Sequence, residues 1–341
     1  MKNLFLTSLL SVAFLCFPLV ASADPSCEQL FNAKSTDDFV ELNGSNHRSL
    51  RFLTLNTQGF KLFKDLSPEE EASPKQQHYY EKVAGWANTI ADIDPDITVL
   101  QEVFSDYELE YLIKEHLNDE YDFYIEPGND PQSNVAFLVK KNLNLNVELR
   151  TNTDRMWQGR PLFSRDAPVL VLRDSLTGNA VTALIGHHAK AQIDKPGDKK
   201  SKKLRTAQSK EVVKIAEELS TEFNDEIPIF VAGDFNADLH HDHTTKPLAQ
   251  NMTDVFDLLA RPPPQERRVT HSYFKKDKHH ETQLDGIIVM NAEKVHVRRA
   301  DVFRYRDEAG NEFSLPETFE QRQEMPSDHN PVWADVMIAI Q

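Results

Sequence analysis

Cysteine is nearly absent from this chain, with two among 341 residues, Cys16 and Cys27. Cys16 falls in an apolar leader, so a processed protein keeps only Cys27 and must fold without an internal disulfide. Stability then has to come from a hydrophobic core. Net basic charge is missing too: 38 Lys+Arg face 54 Asp+Glu, for a formal charge of −16. That argues against a general nucleic-acid coat protein, but not against a nuclease, because divalent cations offset carboxylate charge at a site. Past residue 23 no stretch approaches the roughly 20 apolar residues of a membrane helix. The chain has no G-x-G-x-x-G, no P-loop and no repeat of solenoid period.

The first 23 residues hold one Lys, an apolar stretch over residues 4–20, and Ala21-Ser22-Ala23. This is the form of a secretory signal peptide, with an apolar core too short for a span. Cleavage near Ala23 leaves 341 − 23 = 318 residues, expected to be secreted from, or held in the periplasm of, a bacterial cell. Residues 24–48 read as a polar lead-in. No Pro/Gly/Ser-rich linker divides residues 49–341, so they are read as one domain with room for a large core.

Six short apolar runs border polar residues. Residues 51–55 precede Asn56, residues 97–100 precede Gln101 and Glu102, and residues 181–185 precede His187 and His188. Residues 227–232 precede Gly233-Asp234-Phe235-Asn236, Asp285 opens residues 287–290, and Asp328-His329 opens residues 332–338. Such runs read as buried strands. If the last two run antiparallel to the earlier ones, their starts lie beside the others' ends and all six clusters meet at one edge. Helices are expected over 78–93, after the capping-box pattern Ser105 to Glu108, and over 204–223. Strands alternating with helices, then strands joined mainly by loops, indicate an α/β layered fold with mixed sheets.

Glu102 and Asp234 are hard oxygen ligands, and Asn56, Asn236 and Asp328 add oxygen donors. Without a cysteine cluster the set suits Mg²⁺, Mn²⁺ or Ca²⁺ better than zinc. His188 and His329 titrate near neutrality and can move protons, with Asp285 placed to hold His329 in one tautomer. Each motif alone has an ordinary structural explanation; their joint order at strand ends does not. Residues 190–210 carry eight Lys or Arg, and residues 261–280 carry six with three His. Either loop reads as a phosphate-facing surface or as a solvated one. His240, His241 and His243 read as a solvated loop, Trp86 and Phe137 as core. Trp157 with Arg155 and Arg160 reads as a stacking surface or as packing.

The set resembles the endonuclease/exonuclease/phosphatase superfamily, and within it the deoxyribonuclease I-like branch. Residues 51–56 followed by Gly59 are similar to the opening strand and metal-side Asn. Val99-Leu100-Gln101-Glu102 is similar to the Gln-Glu motif that holds the divalent ion. Residues 163–168 resemble the segment supplying a phosphate-contacting Arg, here Arg165. His188-Ala189-Lys190-Ala191 resembles the His-Leu-Lys-Ala/Ser form, which makes His188 rather than His187 catalytic. Residues 233–238, Leu284-Asp285 and Ser327-Asp328-His329 resemble the three closing motifs. Arg205 and Gln208 resemble a pattern of other branches.

The resemblance implies a four-layer α/β sandwich of two facing mixed β-sheets flanked by helices. It implies Mg²⁺ (or Mn²⁺ or Ca²⁺) at Asn56, Glu102 and Asp328, catalysis by His188, Asp234, Asn236, Asp285 and His329, and substrate binding by Arg165, Lys190 and Arg205. His329 would activate water and His188 assist the leaving oxygen. Residues 130–134 lack the branch's minor-groove cluster and the Glu that orients its acid His. The expected activity is hydrolysis of DNA phosphodiesters, with nucleic acid as substrate and no obligate protein partner. A sphingomyelinase-type or inositol-phosphate hydrolase, acting on phospholipid or inositol phosphate, is the alternative. Retention of every motif residue argues against a catalytically silent binding or toxin subunit.

Overall fold

The computed structural model describes residues 47–62, 67–130, 132–275, 278–307 and 309–340. The expected signal segment, and the lead-in up to residue 46, lie outside the described residues. Four strands of a first sheet come first: β1 (His47–Phe60), β2 (Ile97–Val103), β3 (Tyr121–Ile125) and β4 (Asn134–Lys140). The chain then builds a second sheet from β5 (Leu145–Arg150), β6 (Val169–Asp174), β7 (Ala180–His188), β8 (Ile229–Asp234), β9 (Thr253–Asp254) and β10 (Asp285–Met290). It returns to the first with β11 (Val295–Val302) and β12 (Val332–Ala339).

The strand orders are β11-β12-β1-β2-β4-β3 and β9-β10-β8-β7-β6-β5. Each sheet has a parallel pair at its centre, β1–β2 or β7–β8, with antiparallel neighbours outside it. Central parallel strands are covered on both faces, which is why their sequences read as unbroken apolar runs rather than alternating ones.

Alternate residues divide between two faces. Phe52, Val99 and Phe137 point between the sheets, against Leu170, Leu184 and Phe230, and the Phe52 and Phe230 rings meet at 4.8 Å. Leu53, Leu55 and Leu100 point outward, under the helices α1 (Pro74–Ile93) and α2 (Asp106–His116). Val171, Ile185 and Val231 point to the opposite outside, under α3 (Lys202–Glu222). The result is helix, sheet, sheet, helix, the expected four layers. Among the described residues no helix is long and apolar enough to cross a membrane.

One helix starts earlier than the sequence reading, and another starts where expected but is capped differently. Ser73 caps α1 by accepting the Gln76 N–H, and Pro74 takes the first turn, so the helix starts ahead of its apolar repeat. Ser105 caps α2, but Glu108 does not close a capping box. Its Oε1 accepts the Leu62 N–H at 2.9 Å and its Oε2 the Ser105 hydroxyl at 2.6 Å, tying the chain after β1 to α2.

Strand register assembles the functional edge. Asp234 pairs with His188 on one side and Asp285 on the other, and Asn56 pairs with Gln101. Strands β10 and β12 run antiparallel to β8 and β1, so the six clusters do meet at one edge.

Candidate active site

Glu102 interrupts β2 at a bulge. The pairing with β4 shifts between Gln101 and Val103, and Glu102 takes φ 64, a left-handed conformation costly for a side-chain-bearing residue. A bulge re-aims one side chain out of the alternation, and here it turns the carboxylate into the cleft. Burial raises the Glu102 pKa, and the charge of Asp328 adds to that, against the pull of His329 and Arg165.

Across the cleft, His329 Nδ1 lies 2.7 Å from Asp285 Oδ2. The Ser327 hydroxyl donates to the Asn56 carbonyl at 2.7 Å and accepts the His329 N–H at 3.1 Å, so it clamps β1 to the approach of β12. Burial pulls His329 toward neutrality, yet Asp285, Asp234 and Asp328 outweigh it and hold the ring well above its usual pKa. Asp234 is fully buried and shifted upward by desolvation. Its Oδ2 accepts from Asn56 Nδ2 at 3.1 Å and Asn236 Nδ2 at 2.9 Å, and its Oδ1 from the Asn236 N–H at 2.7 Å.

His187 and His188 part company at the end of β7. His188 Nε2 approaches Asp234 at 3.5 Å and Glu102 at 3.8 Å, while its Nδ1 has no hydrogen-bond partner among the described residues. Burial, then the charge of Arg165, holds its pKa well below the usual value. His187 points the other way, against Phe235 at 5.4 Å between ring centroids, and burial lowers its pKa to about 4. Its neighbour Gly233 is obligatory, because a Cβ there would sit 1.7 Å from the His187 carbonyl oxygen.

The cleft encloses about 820 Å³ and is lined by Glu102, Arg165, His188, Asp234, Asn236, Asp328 and His329. Arg165 donates to the Ala189 carbonyl at 3.2 Å. Lys190 lies beside Arg165, its pKa lowered by burial and by that charge, but it is not part of the lining. Arg205 is corrected from a substrate contact to a buried anchor: it is 1 % exposed, with Nη1 on the Lys200 carbonyl and Nη2 3.9 Å from Asp242. Of the lysines at 199, 200, 202 and 203, Lys200 alone lines the cleft. Trp157 is packing, half-buried under Arg160 and outside the cleft.

The sequence reading missed His271, Tyr273 and His280, which line the cleft from the hairpin His271–Lys275 and Lys278–Thr282, and Arg322, which lines it from the short helix Phe319–Gln323. His271 Nε2 and Arg322 Nη1 stand 3.8 and 3.9 Å from Asp328 Oδ2. Burial pushes Asp328 up, but these partners and His329 hold its carboxyl well below the usual range. No motif marks either position; the only signal was the density of His and Arg.

Residues 53–329 match the Endonuclease/Exonuclease/phosphatase family. The chain belongs to this family. No curated protein matches it by sequence. Among solved structures it is similar to D. rerio TDP2 complexed with single strand DNA product (16 % identity, TM-score 0.58, 84 % of this chain and 98 % of that one). It is also similar to a Bacteroides thetaiotaomicron family protein (17 %, 0.58, 87 % and 97 %) and to the mannosyl-6-phosphatase Bt3783 of B. thetaiotaomicron VPI-5482 (17 %, 0.55, 84 % and 99 %). At these identities the likeness is one of fold. Enzymes of the family are phosphoric ester hydrolases that typically use divalent metals.

The donor chemistry of the cleft fits such a metal. Among the described residues two groups, Asp234–Asp285–His329 and His271–Asp328–His329, each bring three ligand-bearing atoms within 4.8 Å; both include His329, and neither includes Asn56 or Glu102. Glu102 and Asp328 repel each other in a desolvated cleft, a cost that a hard cation between oxygen donors removes.

Proposed function

We propose that this protein is an exported, divalent-metal-dependent phosphodiesterase that hydrolyses DNA. The observation that carries the reading is the His329–Asp285 pair at 2.7 Å, facing across an open cleft the bulged carboxylate of Glu102. Asn56, Glu102 and Asp328 would hold Mg²⁺, with Mn²⁺ or Ca²⁺ as substitutes. A cation bound there would neutralise phosphoryl oxygens and lower the pKa of neighbouring groups.

His329, oriented by Asp285, takes a proton from water as the water oxygen bonds to phosphorus. One P–O ester bond breaks; His188, buried and neutral, donates a hydrogen bond to the departing oxygen, which takes its proton from solvent, while His329 returns the proton it took to solvent. Asp234, fixed by Asn56 and Asn236, holds His188 and His329 in register. Arg165 and Arg322 offset charge on the substrate. DNA is favoured because the cleft of about 820 Å³ is lined by Arg165, Lys200 and Arg322 from three separate segments of the chain, and because a similarly folded TDP2 was solved with a DNA product. Export rests on the leader form of residues 1–23.

A second reading, hydrolysis of a phospholipid or inositol phosphate, draws on Ile193 and Tyr273, apolar residues 54 % and 45 % exposed on the cleft lining. Purified protein with Mg²⁺ is to be assayed against plasmid DNA, RNA, sphingomyelin and inositol phosphates in parallel. Turnover of plasmid DNA supports the proposal. Turnover of sphingomyelin or inositol phosphate alone replaces it.

A further inference from the structure

Lys200 occupies a place that its sequence does not favour. It has φ 53 and ψ 28, and the next residue, Ser201, has φ 49 and ψ 32. Two consecutive non-glycine residues in the left-handed region cost roughly 1–2 kcal/mol each. Such a conformation persists only where its surroundings over-determine it.

Here they do. Asp194 Oδ1 accepts the Lys200 N–H at 2.7 Å, and Arg205 Nη1 donates to the Lys200 carbonyl at 2.5 Å. The Ser201 hydroxyl donates to the Ile193 carbonyl at 2.8 Å. Asp198 takes over the cap of α3, accepting from the N–H groups of Lys203 at 2.8 Å and Leu204 at 3.1 Å. Arg205 is buried with its Nε and Nη2 lacking hydrogen-bond partners among the described residues, a costly use of a guanidinium. The arrangement fixes one backbone unit, and that unit carries the one lysine among 199, 200, 202 and 203 that lines the cleft.

Among the described residues the Lys and Arg side chains lining the cleft are Arg165, Lys200 and Arg322. Arg165 acts on Glu102 and His188, and Arg322 acts on Asp328. Lys200 is not among the groups that chiefly set the charge of any of these. It lines the same cleft as the reacting centre.

We propose that Lys200 is a substrate-binding residue for the phosphate next to the one being hydrolysed, and that the Asp194–Ser201–Arg205 latch holds it there. This rests on the phosphodiesterase reading above and adds that the substrate is a polymer with at least two phosphates. The lysines beside it, exposed as Lys200 is, contribute a diffuse field; Lys200, with its backbone held and its place on the cleft lining, contributes a contact from a set position. Strain belongs to the position, because an ammonium on a long stem binds more tightly when its backbone is already set.

Wild type, Lys200→Ala, Lys200→Gly and Lys199→Ala, all full-length and with Mg²⁺, are to be compared on two diesters. One is bis(p-nitrophenyl) phosphate, with no second phosphate; the other is a short single-stranded oligodeoxynucleotide. In Lys200→Ala the ratio of kcat/KM for the oligonucleotide to that for the small diester falls about tenfold, through KM. The salt slope of its affinity flattens by roughly 0.7. Lys199→Ala leaves ratio and slope as in wild type. Lys200→Gly shows the same lost ratio but melts at a higher temperature than Lys200→Ala, since glycine tolerates the left-handed backbone. An unchanged ratio in folded Lys200→Ala, or an equal loss in Lys199→Ala, overturns the assignment. Wild type that hydrolyses the small diester yet neither binds nor cuts the oligonucleotide removes the nuclease reading and this assignment together, an outcome visible before any variant is made.

Discussion

His329 Nδ1 and Asp285 Oδ2 stand 2.7 Å apart although 44 residues separate them in the chain. Asp285 opens β10 and His329 precedes β12, so the contact bridges the two sheets. Removing Asp285 leaves the imidazole free to rotate and takes away one of the charges that raise its pKa. Asp285→Asn is expected to slow turnover about 10²-fold or more, and the double variant with His329→Ala to be no worse than His329→Ala alone. A base works when neutral, so kcat/KM rises with pH through the His329 pKa. Without the Asp285 carboxylate that inflection moves to lower pH. A pH–rate profile of the two enzymes checks the direction.

The two adjacent histidines give a second separation. His188→Ala is expected to lose about 10²- to 10⁴-fold in rate, whereas His187→Leu keeps the chemistry. His187 is buried neutral with its pKa lowered to about 4, below the roughly 6.5 of an unfolded chain. Its stabilising contribution is therefore complete above about pH 6.5 and is lost as pH falls through the window down to about 4, up to ~3 kcal/mol in all. His187→Leu should shift the acid-unfolding midpoint to lower pH, measured by circular dichroism.

Glu102 tests whether the bulge is built for function. Both Glu102→Ala and Glu102→Gly are expected to be inactive and to bind Mg²⁺ more weakly. At φ 64 the glycine variant should be about 1 kcal/mol more stable than the alanine variant. Paired urea titrations read the difference. Equal stability would mean the conformation carries no strain.

The strands were legible because central strands buried on both faces leave unbroken apolar runs, as at residues 97–100 and 229–232. Their polar ends then located Asn56, Glu102, Asp234 and His329 before any contact was known. Geometry that depends on backbone φ was not legible: nothing in Val99-Leu100-Gln101-Glu102 announces a left-handed Glu102, nor the run at 199–203 a left-handed Lys200. Glu108 was misread because a capping box and a long-range staple to Leu62 have the same sequence pattern. Arg205 was misread because burial of a cation depends on partners elsewhere in the chain, here Asp242 and the Lys200 carbonyl. His271 and Arg322 were missed because the hairpin and short helix that bring them to Asp328 carry no periodic signal.

The central claim, a divalent-metal phosphodiesterase centred on Glu102, Asp234 and His329, is tested most directly by the rate of supercoiled plasmid nicking by purified protein in Mg²⁺ and in EDTA. The account predicts nicking in Mg²⁺, its loss in EDTA, its return when Mg²⁺ is restored, and none in Asp234→Ala under any of these conditions. Full-rate nicking in EDTA, or by Asp234→Ala, would contradict it.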